Sequence, residues 1–282
     1  MTIELPPHPL PAERPLALIK GAGDLATGVA LRLYRSGFTV VMTEIAYPTV
    51  VRRTVAFAEA VFEGHTAVEG VEGHLADDAA HVRRLLAQGA IAVIVDPEAT
   101  VRQELRPALL VDAIVAKRNL HTRISDAPAV VALGPGFVAG RDAHAVVETK
   151  RGHMLGRVIF AGEALPNTGV PGEIGGYGAE RVLRSPADGI LRSDRTIGEQ
   201  VHAGEIVAYV GDVPVRSSLD GVLRGLLRSG LRVSSGFKLG DVDPRGSCEH
   251  CFLVSDKALA IAGGVLEAAC ALLGGVRFKT VT

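Results

Sequence analysis

Residues 185–204 are repeated in residues 217–236. Ser185, Asp188, Gly189, Leu191, Arg192, Gly198, Val201 and Gly204 fall on Ser217, Asp220, Gly221, Leu223, Arg224, Gly230, Val233 and Gly236. Each copy reads S-x-x-D-G-[IV]-L-R, then a short variable stretch, then G-x-x-V-x-x-G. The D-G pairs are tight-turn signals, because glycine takes positive φ without steric cost. The V-x-x-G element fits a short strand running into another turn. A chain that repeats itself in this way is expected to build two similar β halves.

Two such halves resemble the barrel-sandwich hybrid of the biotinyl/lipoyl domains. A carrier of that kind presents a modified lysine in the hairpin joining its halves. Here that hairpin reads Val210-Gly211-Asp212-Val213-Pro214-Val215 and holds no lysine, so the module is not expected to carry biotin or lipoate.

Upstream, the pattern changes to alternating strands and helices. Leu16–Gly21 is a short apolar run ending in glycine, Leu25–Arg35 is helical, and Thr39–Glu44 is a second buried strand. This is a β-α-β unit. Residues 50–62 and 77–88 read as helices, and Ile91–Val95, Val111–Ala116 and Ala129–Leu133 as further strands. The expected fold class is α/β: an N-terminal Rossmann-like doubly wound sheet, a barrel-sandwich-hybrid (biotinyl/lipoyl-like) module, and a C-terminal helix. The boundaries are a flexible Pro-rich tail over 1–15, a nucleotide- or cofactor-binding domain over 16–135, a Gly-rich hairpin and loop region over 136–181, the sandwich over 182–245, and 246–282 with the helix packing on the body. Ser255 is a good N-cap for a helix over Asp256–Leu273, which Gly274-Gly275 closes.

The turn after the first strand, Gly21-Ala22-Gly23-Asp24-Leu25-Ala26, matches G-x-G-x-x-[G/A] between a strand and a helix. Gly21, Gly23, Asp24 and Ala26 are therefore candidate cofactor-binding positions. Glu44, 21 residues beyond Gly23, stands where a dinucleotide fold places the acid for a ribose hydroxyl. Asp24 either repels a diphosphate or caps the helix with the same N–H groups a phosphate needs. Segment 134–157 crowds titratable groups among glycines. Glu148 and His153 form a candidate acid/base pair, and Arg151 and Arg157 a candidate anion grip; ordinary surface charges on a hairpin are the alternative. Asn119 lies at the carboxyl edge of the sheet, where such folds bind ligands. Cys248-Glu249-His250-Cys251 has C-x-x-C spacing without a second ligand pair for zinc, which leaves redox or persulfide chemistry at Cys251. Cys270 reads as core. No metal site is expected.

Lys+Arg number 30 against Asp+Glu 31, for a net charge of −1, and there is no Trp. Neither a basic nucleic-acid surface nor a stacking platform is expected. No apolar run reaches the roughly 20 residues that span a bilayer. Three cysteines make no disulfide framework, which places the chain in the cytoplasm.

Together, the strings KGAGDLATGVALRL, VVMTEI, VDAIVAKRN, LGPGFVAGRDAHAVVETKRGHMLGRV, NTGVPG, ERVLRSPADGI, VGDVPV, GDVDPRG and SDKALAIAGGVLEA resemble the selenium-dependent molybdenum hydroxylase system proteins. That resemblance implies an accessory protein for maturation of xanthine dehydrogenase-type molybdenum hydroxylases. It would bind molybdenum cofactor (a pterin) or an NAD-like nucleotide precursor, with the hydroxylase as client, and could form a homo-oligomer. The residues themselves leave two alternatives open: an NAD(P)-dependent oxidoreductase, or a non-catalytic docking module.

Overall fold

The computed structural model describes residues 14–169, 173 and 175–274. Most of the Pro-rich tail, part of the 167–178 loop and Gly275 lie outside the described residues.

Near-continuous apolar runs build the centre of a nine-stranded sheet, as expected for strands covered on both faces. Along the chain these are β1 (Leu16–Lys20), α1 (Asp24–Arg35), β2 (Thr39–Glu44), α2 (Ala60–Glu63), β3 (His65–Val68), β4 (Val71–Ala76), α3 (Ala79–Ala87), β5 (Ile91–Val95), α4 (Arg102–Leu105), β6 (Leu109–Asp112) and β7 (Ala129–Leu133). There follow β8 (Val138–Ala139), β9 (Ala145–Val147), β10 (Val158–Ile159) and β11 (Gly162–Glu163). The large sheet runs β10-β9-β7-β6-β1-β2-β5-β4-β3, and β8 pairs with β11 separately. Its interior pairs are parallel, whereas β3–β4 at one edge and β9–β10 at the other are antiparallel.

The period-2 alternation of a strand assigns its side chains to two cores. Ala17, Ile19, Val40 and Met42 face one layer with α1 and the last helix, α5 (Asp256–Leu273). Leu18, Val41, Ala92 and Leu110 face the other with Val82, Leu85 and Leu86 of α3. Asp78 caps α3 by accepting from the His81 N–H at 2.7 Å, and Ser255 caps α5 by accepting from Ala258 at 3.2 Å. The last helix docks through small residues. A Cβ on Gly28 of α1 would lie 2.8 Å from that of Ala258, and one on Gly264 would lie 2.1 Å from the Gly156 carbonyl oxygen.

The C-terminal unit holds β12 (Val182–Arg184), β13 (Gly189–Arg192), β14 (Gln200–Val201), β15 (Ile206–Val210), β16 (Val213–Arg216), β17 (Gly221–Leu226), β18 (Arg232–Val233) and β19 (Lys238–Asp243). They form two four-stranded sheets, β12-β19-β17-β14 and β16-β15-β13-β18. Exchanging each strand for its repeat partner converts one order into the other. The exchange extends to single bonds: Ser185 Oγ donates to the Ala187 carbonyl and Ser217 Oγ to that of Leu219, each at 2.6 Å.

The expected fold class is corrected by this topology. The large sheet is mixed rather than a Rossmann-like doubly wound sheet complete by residue 135, because residues 65–76 and 145–159 add antiparallel edges. The second unit is not a separate biotinyl/lipoyl-like barrel-sandwich module. Val51 of the body packs on its core, Leu226 N–H donates to the Val51 carbonyl at 2.8 Å, and Arg53 Nε donates to the Leu226 carbonyl at 2.8 Å. The C-terminal helix is present. Residues 50–62, expected as one helix, form short 3-10 turns followed by the single turn α2.

Candidate functional site

Two clefts lie at the carboxyl ends of β1, β2 and β6, on either side of Asp24. One of about 450 Å³ is floored by the glycine turn and lined by Glu44, Val50, Ile114 and Val115. Gly21 takes φ +92°, and an added Cβ would lie 3.2 Å from the Ala113 carbonyl oxygen, so glycine is required there. Glu44 reaches back to the turn: it accepts from the Ala22 N–H at 2.9 Å and from the Ile45 N–H at 2.8 Å. Burial raises its pKa against the opposing pull of these two bonds. One turn N–H that a phosphate would use is thus already taken by a carboxylate. Gly23, not Asp24, is the N-cap of α1 and supplies no side-chain cap. Asp24 instead points a carboxylate at Arg52, 3.8 Å from Nη1.

The second cleft, about 570 Å³, opens between the large sheet, the C-terminal unit and the first turn of α5. Its lining carries Arg52, Lys117, Lys150, Arg151, Arg181, Arg224, Lys238 and Lys257 against the carboxylates Asp24 and Asp241. Arg52 and Arg224 are each only 7% exposed. One nitrogen of Arg52, Nη2, donates to the His250 and Leu253 carbonyls at 2.9 Å each. Its Nε and Nη1 are buried with no hydrogen-bond partner. Burial, and then the proximity of Arg224, lower the Arg52 pKa. Arg224 itself sits 3.7 Å from Asp243 and 3.9 Å from Asp241.

Lys117, exposed, and Lys257, half-buried, line this cleft. Desolvation lowers both pKa values, and for Lys257 the charges of Lys117 and Arg151 add to the effect. Lys117 belongs to a loop held in unusual backbone. Val115, Lys117 and His121 have φ of +58°, +64° and +65°, which for a β-branched residue such as Val115 is an outlier. Strain of this kind persists only where surrounding structure imposes it. Here a buried network does so: Lys20 Nζ donates to the Leu120 carbonyl at 3.0 Å and to Thr122 Oγ1 at 2.7 Å, and Thr122 Oγ1 donates to Asp112 at 2.5 Å.

Glu148 is buried and its carboxylate accepts three backbone N–H groups, from Thr149, Lys150 and Leu165, each at 2.7 Å. His153 is exposed and outside both clefts, so the structure does not bring these two together as an acid/base pair. Arg151 lines the cationic cleft but spends its guanidinium on Asp256, at 2.8 and 3.0 Å. Arg157 is exposed and donates to the His153 carbonyl. Asn119 exchanges two 2.8 Å bonds with the Thr122 backbone and shapes the loop. Cys251 is fully buried, and desolvation pushes its thiol up to about 11, the opposite of a reactive thiolate. Cys270, expected in the core, is exposed. Ala26 is buried in the main core. Among the described residues no cluster of three or more His, Cys, Asp or Glu is placed to hold a metal, and no helix is long and apolar enough to cross a membrane.

Sequence reasoning missed Arg52, Arg181, Arg224 and Lys238, which are scattered along the chain. The repeat held a signal for one of them. Arg224 is the counterpart of Arg192, yet Arg192 is an exposed residue bonded to the Gly211 carbonyl, whereas Arg224 is buried at the cleft.

No family model matches the chain. An uncharacterized protein of Escherichia coli (strain K12), YqeB, is 53% identical over 268 residues, covering 95% of this chain and 49% of its own length. The chain therefore spans about half the length of the curated relative it matches. Solved structures with some likeness include an aspartoacylase family protein from Mesorhizobium loti (14% identity, TM-score 0.27, 82% of this chain and 85% of that one). Another is the ectoine utilization protein EutE (DoeB) from Ruegeria pomeroyi (13% identity, TM-score 0.25, 81% and 85%). The comparisons correct the resemblance drawn from the sequence strings. Nothing among them points to a selenium-dependent molybdenum hydroxylase system protein; the named structures are of the aspartoacylase and desuccinylase kind. The maturation function falls with it, and the comparisons carry nothing on a hydroxylase client.

Proposed function

We propose that this chain binds a small polyanionic molecule in the cationic cleft between its large sheet and its C-terminal unit. The observation that carries this reading is Arg52, a buried guanidinium with two nitrogens that make no hydrogen bond, beside a second buried arginine. An unsatisfied buried donor costs about 1–3 kcal/mol, and more when charged. The buried Arg52 and Arg224 guanidiniums also repel each other in a setting where Coulomb forces are weakly screened. Negative charge placed among them relieves both costs. The cleft is built to hold charge rather than to move protons, because Glu148 is committed to backbone, His153 lies outside and Cys251 is a buried neutral thiol.

Calorimetric titration with inorganic pyrophosphate tests the reading. Binding should weaken about tenfold in Lys117→Gln and in Lys257→Gln, as expected for loss of one charge-assisted contact. These two lysines are preferred to Arg52, which also ties two backbone carbonyls. Absence of binding at millimolar pyrophosphate, or binding untouched by both substitutions, would overturn the assignment.

A further inference from the structure

The two clefts meet at Asp24 and Leu25, which line both. Their chemistry is opposite. The glycine-turn cleft contains Asp24, Glu44 and Glu98, apolar walls from Leu25, Val50, Ile114 and Val115, and neither lysine nor arginine. An anionic group there would face carboxylates, and the Ala22 N–H is already bonded to Glu44. A neutral group meets a different surface. Each Glu44 oxygen accepts one backbone N–H and keeps capacity for a further donor.

We infer that the clefts are two compartments of one site, and that its ligand is a nucleoside diphosphate or a molecule of the same build. The anionic groups occupy the cationic compartment, and the uncharged, hydroxyl-bearing body lies over the glycine turn with a hydroxyl donating to Glu44. The anion thus sits beyond Asp24, not on the turn itself. Apolar atoms of the body cover Val50, Ile114 and Val115. The inference rests on the anion-binding reading and specifies which anions the site selects.

The test compares pyrophosphate, ADP and UDP by calorimetry at constant ionic strength, in the unmodified chain and in Glu44→Gln and Ile114→Glu. Ile114 stands on the cleft rim, 36% exposed, so its substitution adds repulsion without touching the core. At least one nucleotide should bind about tenfold or more tighter than pyrophosphate, the gain of one good polar contact plus apolar cover. Both substitutions should remove that advantage while leaving pyrophosphate affinity within about twofold. If pyrophosphate binds and neither nucleotide binds tighter, the two-compartment inference fails and the anion site stands. If both substitutions weaken pyrophosphate as much as nucleotide, Glu44 and Ile114 act on the fold and the inference also fails. Failure of pyrophosphate to bind at all overturns the anion site on which it rests.

Discussion

The two clefts on either side of Asp24 are made in different ways. The glycine-turn cleft comes from one turn and the strand ends beside it, and five of its residues, Gly21, Gly23, Asp24, Ala26 and Glu44, belong to the motif read from the sequence. The cationic cleft draws Arg52 from a short turn, Lys117 from a strained loop, Arg224 from the repeat and Lys257 from the last helix. The motif-bearing cleft is acidic and apolar, and the scattered one concentrates positive charge. A glycine-rich turn is permissive backbone, and what it binds depends on the charges that the rest of the fold brings to it.

The largest effect should come from removing the Lys117 and Lys257 ammoniums together. Lys117→Gln with Lys257→Gln should cost about 100-fold in pyrophosphate affinity, two charge-assisted contacts together, measured by calorimetry. A smaller change there would shift the weight of binding to the arginines.

Next, the internal repeat provides its own control. Arg224→Gln should weaken pyrophosphate about tenfold, whereas the equivalent Arg192→Gln, exposed on the far sheet, should change it by less than about twofold. Equal effects at the two positions would erase the distinction between the cleft and its symmetry mate.

The pH dependence follows from the lowered amine pKa values of Lys117 and Lys257. Each binds an anion only as the ammonium. Affinity should therefore be full below the lowered pKa and fall as pH rises through it, earlier than for an ordinary lysine. In the upper part of that range binding should take up protons, visible as a dependence of the calorimetric heat on buffer ionisation enthalpy. Pyrophosphate affinity flat to the ordinary lysine range would show that neither amine contributes.

The cysteines sharpen the contrast by exclusion. With its thiol near 11 and fully buried, Cys251 should resist alkylation in the native protein at pH 8, while exposed Cys248 and Cys270 are modified, as read by peptide mass spectrometry. Modification of Cys251 first would reopen thiol chemistry there.

The smallest effect concerns Arg151 and Asp256. The Arg151 guanidinium holds the Asp256 carboxyl down to about 2, so the pair stabilises the fold above the ordinary carboxylate range and that contribution is lost as pH falls from about 4 to about 2. Both groups are well exposed, so Arg151→Gln should cost only about 0.5 kcal/mol at neutral pH, seen as a small drop in denaturant midpoint that vanishes in acid.

Much of the scaffold was legible where local chemistry and tertiary environment agree. The runs that became β5 and β7 begin and end where their apolar residues do, and Ser255 caps α5 as its position suggests. The edges were not legible. β3 and β4 carry His65, Thr66, Glu72 and His74, which show no apolar run, and they pair only because the sheet offers them an edge. Glu148 stood out as a titratable group among glycines, but three backbone N–H groups had claimed its oxygens. The cationic cleft was hidden for a simpler reason: no stretch of sequence contains it. Its trace lay in the broken symmetry of the repeat, where Asp241 replaces the counterpart Tyr209 and buried Arg224 the exposed Arg192.

A crystal structure grown with pyrophosphate is the most direct test of the central claim. The anion should lie in the cleft beside Arg52, Lys117 and Lys257, with Glu44 still bonded to the Ala22 N–H. Pyrophosphate seated on the Gly21–Ala26 turn, with Glu44 displaced, would contradict it.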